Sequence, residues 1–342
     1  MKLIRNFYIL GLALAIQGLQ IDTIKAQDPV FSQWHASPIL INPGFTGISE
    51  GPTFGLNYRN QWPGLNQAYV TYAATYDQFI SKYNSGIGFV VVTDNAGQGL
   101  LKSNRVAVDY SYRLKVKKGE YLKLGLEFGF INTQLGWNRL IFLDQIDPIN
   151  GLPQPGGTVV LPPSSETAPD QLTKTKIDVS AGVLYYGKRF FGGLSAKHLN
   201  SPDDRFLNKN PQLATGLPVR FNGIAGMNIG LGESVRGKYD QLVLPHVLIV
   251  KQGPFFQALA GVIYQYHKFY MGAEYRQTRK VSDAIILEAG IETGIFRFGY
   301  SYDTTISSTL GSRTGGAHEI TIVIHVPEKK ANPISDCFQF FR

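Results

Sequence analysis

The sequence predicts an all-β chain closed into a transmembrane antiparallel β-barrel of outer-membrane type, with about fourteen strands. Three observations carry that reading: segments with apolar residues at every second position, connections that alternate between short and long, and a composition poor in charge. Of 342 residues, 44% are hydrophobic, 12% aromatic and only 17% charged, and 37 glycines run through the chain. A soluble protein usually has about a quarter of its residues charged.

Residues 1–26 have the layout of a secretory signal. Lys2 and Arg5 precede an apolar run from Phe7 to about Ile16, and Thr23-Ile24-Lys25-Ala26 leads to a cleavage point near Ala26. The run is too short for a spanning helix, and no Cys follows it to take a lipid. Taking Lys2, Arg5, Lys25 and Asp22 from 33 basic and 25 acidic residues leaves 30 and 24, a net charge of about +6. That excess is dispersed, so no nucleic-acid partner is expected. No later stretch reaches the roughly 18 consecutive apolar residues of a membrane helix. The single Cys337 excludes an internal disulfide framework. It reads as an inert tail thiol or as one that pairs with another protein.

Residues 27–52 form a pre-barrel segment, periplasmic or plugging the lumen. Strands follow near 53–62, 68–77, 85–93, 104–115, 120–132, 175–186, 189–197, 219–231, 240–251, 254–265, 268–276, 283–292, 294–303 and 317–326. The clearest is GEYLKLGLEFGFIN at 119–132, where Leu122, Leu124, Leu126, Phe128 and Phe130 alternate with Tyr121, Lys123, Gly125, Glu127 and Gly129. RVAVDYSYRL at 105–114 and IFRFGYSYD at 295–303 repeat the pattern. A soluble β-sandwich also alternates; the connections favour a barrel. Links after even-numbered strands are mostly tight, with one of about eight residues near 232–239. Those after the third, fifth, seventh and thirteenth run to about 10, 42, 21 and 13 residues, as outward loops do. Gln252-Gly253 and 277–281 are short exceptions. Lipid would then meet the apolar face, and a closed sheet would satisfy the strand backbone without water. Tyr58, Trp62, Tyr110, Tyr112, Tyr300 and Tyr302 would form interfacial girdles. Residues 133–174, rich in Pro and Gly, read as a long outer loop, and 327–342 as a periplasmic tail.

No catalytic, cofactor-binding or metal-binding residues stand out. His318 and Glu319 face opposite sides of a strand, and the helical His spacing of zinc proteases is missing. His35, His198, His246 and His267 have no clustered carboxylate or Cys partner in the sequence and read as ordinary polar or interfacial residues. Gly86-Ile87-Gly88 starts a dinucleotide-like pattern, but a strand follows it rather than a helix. No serine sits in a nucleophile elbow. The predicted inner wall carries Arg59, Arg105, Asp109, Arg113, Lys123, Glu127, Glu274, Arg276, Glu288, Glu292, Arg297, Asp303 and Glu319. Adjacent strands bear opposite charges, so these side chains either pair across strands or line a water-filled pore.

FSQWHASPILINPGFTG at 31–47 resembles the start of the PorP/SprF family, outer-membrane proteins of the type IX secretion system of Bacteroidota. The matching positions are Phe31, Ser32, Pro38, Asn42, Pro43 and Gly47, followed by Tyr58, Arg59, Gln61 and Trp62. GYSYD at 299–303 and GGAHEITI at 315–322 are similar to the family's last two strands, while CFQFFR departs from its commoner Cys-Pro ending. The resemblance implies a non-enzymatic barrel that helps particular secreted proteins, including gliding adhesins, reach or stay on the cell surface. Its partners would be those proteins, periplasmic and outer-membrane secretion components, and the lipid bilayer. The six motif residues at 31–47 either dock a partner, plug the lumen, or only turn the chain into the first strand. A passive or ligand-selective channel is the alternative function, and an outer-membrane hydrolase a third.

Overall fold

The computed structural model describes residues 28–49, 51–65, 69–146, 163–203, 206, 216–235, 238–278, 284–306, 314–327 and 337–341. The expected signal segment and the middle of the 133–174 loop lie outside them. The strands are β1 (Thr53–Gln61), β2 (Tyr69–Ile80), β3 (Ser85–Ala96), β4 (Leu101–Lys117), β5 (Glu120–Leu135), β6 (Thr173–Tyr186), β7 (Phe190–Lys197) and β8 (Arg220–Met227). They continue with β9 (Ile229–Val235), β10 (Lys238–Gln252), β11 (Phe255–Tyr266), β12 (Phe269–Thr278), β13 (Ala284–Thr293), β14 (Phe296–Thr305) and β15 (Ala317–His325).

Each strand pairs antiparallel with its neighbours, and β1 pairs with β15 from Thr53↔His325 to Gln61↔Ala317, which closes the ring. β8 and β9 both pair with β10, through Gly226↔His246 and Ile229↔Val243, so they are two halves of one stave interrupted at Asn228. The Asn228 N–H donates to the Arg189 carbonyl at 2.6 Å, one step beyond the last β7–β8 pair, Phe190↔Met227. The described residues therefore form a closed antiparallel barrel of fourteen staves. Among the described residues no helix is long and apolar enough to cross a membrane.

One connection differs from the sequence reading. β9 ends at Val235 and β10 starts at Lys238, so the link expected to be about eight residues near 232–239 is two residues long. Glycines and charges between 230 and 240 break the alternation there and hide the strand ends. The parity of the links is otherwise clear: β4 to β5, β11 to β12 and β13 to β14 are joined by two residues each. All three lie at what we term the trimmed end.

The β5 alternation sets the two faces. Lys123 and Glu127 are buried, whereas Leu126 and Phe128 are 59% and 51% exposed on the outside. Tyr110, Tyr112 and Tyr300 are exposed on the same outer surface. Such an apolar exterior is matched to hydrocarbon. Phe128→Arg is expected to destabilise membrane-inserted barrel by about 2–4 kcal/mol. Gel mobility of unheated samples across a urea series measures this; an unchanged midpoint would contradict the face assignment.

Candidate functional site

The barrel interior is occupied by the chain's own N-terminal segment. Residues 31–36 and 39–49 are buried, in three short 3-10 turns at Trp34–Ala36, Pro38–Leu40 and Pro43–Phe45. Pro38 and Pro43 open the second and third turns, where a missing N–H costs nothing. Asn42 caps the third, its Oδ1 accepting from the Gly44 N–H at 2.7 Å, while its Nδ2 donates to the Val183 and Leu194 carbonyls on β6 and β7. One side chain thus fixes the turn and ties it to the wall.

Because so short a segment leaves many backbone groups without secondary-structure partners, the wall must supply them. Glu319 accepts the consecutive N–H groups of Ser32 and Gln33 at 2.8 and 2.9 Å. The Ser32 hydroxyl donates to Asp303, and Arg59 grips all three, at 2.8 Å to Ser32 Oγ, 2.8 Å to Asp303 and 3.0 Å to Glu319. Arg276 adds a 2.6 Å bond to Asp303. Farther along, Asp77 accepts from the Gly47 N–H at 2.7 Å, Ser111 donates to the Thr46 carbonyl at 2.7 Å, and the buried Lys123 ammonium donates to the Thr46 and Gly47 carbonyls.

Two wall glycines make room for this segment. A Cβ on Gly125 would overlap the Pro43–Gly44 peptide, and one on Gly86 would overlap the Thr46 carbonyl. Gly86-Ile87-Gly88, which begins like a nucleotide loop, is strand backbone under the plug.

The charged wall mixes the expected cross-strand pairs, such as Arg59 with Glu319 and Arg297 with Glu292, with like-charged neighbours. The register sets Asp109 opposite Glu127 and Arg113 opposite Lys123, like charges in both cases. Such pairs repel, and each is relieved from elsewhere. Glu127 is joined by Arg105, by Lys197 at 3.5 Å and by the Ser180 hydroxyl at 2.8 Å. Arg113 lies 3.9 Å from the Phe79 ring centroid. Arg297 pairs with Glu292 at 2.9 Å.

The histidines also depart from the sequence reading. His35 of the plug meets Glu288 at 2.8 Å, His246 meets Glu274 at 2.8 Å, and His198 lies between Asp178 at 2.8 Å and Asp28 at 2.5 Å. Sequence offers no signal for these pairs, because the barrel brings together residues from distant strands; only His267 is exposed, with its Asp240 contact at 4.0 Å.

Burial alone would lower the His198 pKa, but the flanking Asp28 and Asp178 carboxylates outweigh it and push it up to about 9. Burial would raise Asp28; His198 and Arg220 instead hold it well below 3.8. A raised histidine contributes stability below its ordinary value of 6.5, which is lost as pH rises through about 9. A depressed carboxylate contributes above 3.8, and that is lost as pH falls below it. Anchoring of residues 28–30 is therefore expected to be strongest between these limits. Protection of the Asp28 and Val30 amides, taken relative to the intrinsic base-catalysed exchange rate, should fall from pH 8 to 10 in the parent but not in His198→Gln; an equal fall in both would refute the linkage.

Asp28 contacts His198, Arg220 and Gln252, which lie where β7 ends, β8 begins and β10 ends, at the long-loop mouth. The segment then runs the length of the lumen to enter β1 at the trimmed end. That end is covered by residues 337–341. The sequence placed them in a tail outside the barrel, whereas the described part of the tail is buried within its mouth. Phe338 and Phe341 pack on Phe45 and Phe191, Phe341 on Trp34, and Phe340 on Tyr270. The Cys337 N–H donates to the Gly187 carbonyl at 3.0 Å, and the Gln339 amide bonds both backbone groups of Tyr239.

A closed barrel with a greasy exterior, a charged interior and a plug cut from its own chain belongs to the class of outer-membrane β-barrel proteins. Within it, the chain belongs to the family of type IX secretion system membrane proteins PorP/SprF, whose sequence profile matches residues 23–324. It is thereby a type IX secretion membrane component. A search of curated proteins gave no match. Among solved structures, the Ralstonia pickettii toluene transporter TbuX is similar with a TM-score of 0.50 at 9% identity, over 84% of this chain and 92% of that one. The P. putida toluene transporter TodX gives 0.47 at 8%, over 85% and 94%, and Acinetobacter baumannii Omp33 gives 0.42 at 6%, over 81% and 99%. At such identities the likeness is one of fold.

Proposed function

We propose that this barrel is a non-enzymatic accessory of type IX secretion that supports the export or surface attachment of specific partner proteins such as gliding adhesins. The observation that carries this reading is the plug. A bore filled by a segment bonded to the wall through Arg59, Lys123, Asp77 and Glu319 is suited to holding a rigid shape rather than passing cargo. The long-loop end would then meet the secreted partner, and the trimmed end, with its docked tail, would meet periplasmic components of the machinery. Residues 1–26 would be removed near Ala26 before assembly. Phe31, Ser32, Pro38, Asn42, Pro43 and Gly47 would act through the plug and not by direct contact with a partner.

The test compares surface and medium proteomes of a strain lacking this chain with those of its parent. Loss of one or a few large secreted proteins, with general export intact, supports the reading. A ligand-selective channel is the second reading, favoured by a cavity of about 100 Å3 at the long-loop mouth lined by Asp28, Arg105, Ile131 and Arg220. An unchanged surface with altered solute uptake would replace the first reading by the second.

A further inference from the structure

A second hollow lies on the outside of the barrel, at the long-loop rim of β2 to β5. It encloses about 670 Å3 and is bordered by Tyr72, Asn95, Lys102, Gln134 and Arg139. The register shows which way it faces. Val70 pairs with Asn95, Asn95 with Lys102, Lys102 with Gln134 and Gln134 with Thr173. Going toward the membrane centre by steps of two, the same outer face carries Asn104, Asn132 and Thr175, and then the exposed Val106, Phe130 and Ile177.

The border of the hollow is built into the backbone. The Gly136 N–H donates to the Leu100 carbonyl and the Leu135 N–H to the Leu172 carbonyl, both at 2.8 Å, so the β3–β4 connection and the two ends of the β5–β6 loop are laced together at the rim. Arg139 closes a short 3-10 turn, its N–H donating to the Gly136 carbonyl at 2.9 Å. Gly99 has φ +88, and a Cβ there would stand 2.8 Å from Arg139 Nη1. The glycine at 99 thus serves both the left-handed turn and the passage of the guanidinium across it.

From rim to membrane centre, this face is first cationic, then polar and uncharged, then apolar. Asn132 Nδ2 donates to Thr175 Oγ1 at 2.8 Å within the middle band. A phosphate-bearing lipid has the same sequence of chemistry: an anionic head, a polar linkage region and hydrocarbon chains. We propose that Lys102 and Arg139 bind the phosphate of a lipid in the leaflet at the long-loop end, with its acyl chains lying on Val106, Phe130 and Ile177. Arg139 supplies a planar fork and Lys102 a point charge. Continuity of the hollow with the lipid-facing belt selects a membrane lipid over a soluble anion, because only a lipid gains from the apolar steps below the rim.

The test uses the full barrel in detergent micelles, with native mass spectrometry reading retained lipid. Phosphatidic acid is the probe; diacylglycerol with the same chains and inorganic phosphate are the comparators. Wild type and Lys115→Ala, altered at the opposite end of β4, are expected to retain phosphatidic acid alike. A Lys102→Ala/Arg139→Ala variant is expected to lose roughly tenfold or more in retention, as removal of two near-surface cations implies. Diacylglycerol should not distinguish the variants. Equal retention of phosphatidic acid by wild type and the double variant overturns the proposal. So does inorganic phosphate that displaces the lipid at equal concentration, which would mark a soluble-anion site. Mobility of unheated samples on gels verifies folding, and Lys102→Gln/Arg139→Gln replaces the alanine pair if that variant fails to fold.

Discussion

Deleting residues 28–49 should turn a barrel that is silent in planar bilayers into one that passes discrete ion currents. The strand ladder does not depend on that segment, since closure comes from nine paired residues of β1 and β15. Its removal would leave Lys123, Glu127, Asp303 and Glu319 facing an empty bore, with Lys123 and Glu319 deprived of the plug groups they bond, and such a charged bore draws in water. The trimmed mouth would loosen as well, because Phe338 and Phe341 rest partly on Phe45, and Phe341 on Trp34. A second variant keeps chain length unchanged: Gly125→Leu would drive a side chain into the Pro43–Gly44 peptide and lift the plug from β5. It should show intermittent currents in an otherwise intact barrel. Parent and deletion variant conducting equally would mean that the plug does not seal the lumen.

Arg59→Leu is expected to cost about 3–5 kcal/mol, the range for removing one partner of a buried ion pair. Arg59 is 3% exposed and bonds Asp303, Glu319 and the Ser32 hydroxyl together. Without it Asp303 keeps Arg276, but Glu319 keeps only the two plug N–H groups, and a buried carboxylate is left without a counter-ion. Arg59→Lys should lose less, as it preserves the charge and forfeits the fork. Pairing Arg59→Leu with Glu319→Gln should recover part of the loss, because the second change removes the stranded charge. The urea midpoint of the folded form reads all three. A loss for Arg59→Leu below about 1 kcal/mol, the range of surface pairs, would show that water reaches the cluster.

The barrel was legible in the sequence because its governing rule is local. Alternation along β5 separates Leu126 and Phe128 from Lys123 and Glu127, and successive strands follow the same period. The interior was legible only as a set of inward charges. Their partners come from strands far apart in the chain: His35 and Glu288 are separated by 253 residues, and Ser32 and Glu319 by 287. Periodicity is silent about such distances. The docked tail was missed for a related reason, since Phe338, Phe340 and Phe341 make a short apolar cluster whose destination is set by Phe45, Phe191 and Tyr270. Gly86 and Gly125 look like ordinary strand glycines until the plug lies against them.

The seam between β1 and β15 has a kinetic consequence. Arg59 and Glu319 sit opposite each other across it, and together they hold Ser32. The Ser32 anchor is therefore incomplete until the final strand has joined the first, whereas Asp28 and Asn42 are held by strands away from the seam. Such a high contact order favours slow folding, and a loop of this length has a large closure entropy to overcome. Ring closure is thus the event that brings Arg59 and Glu319 together on Ser32 and completes the seating of the plug.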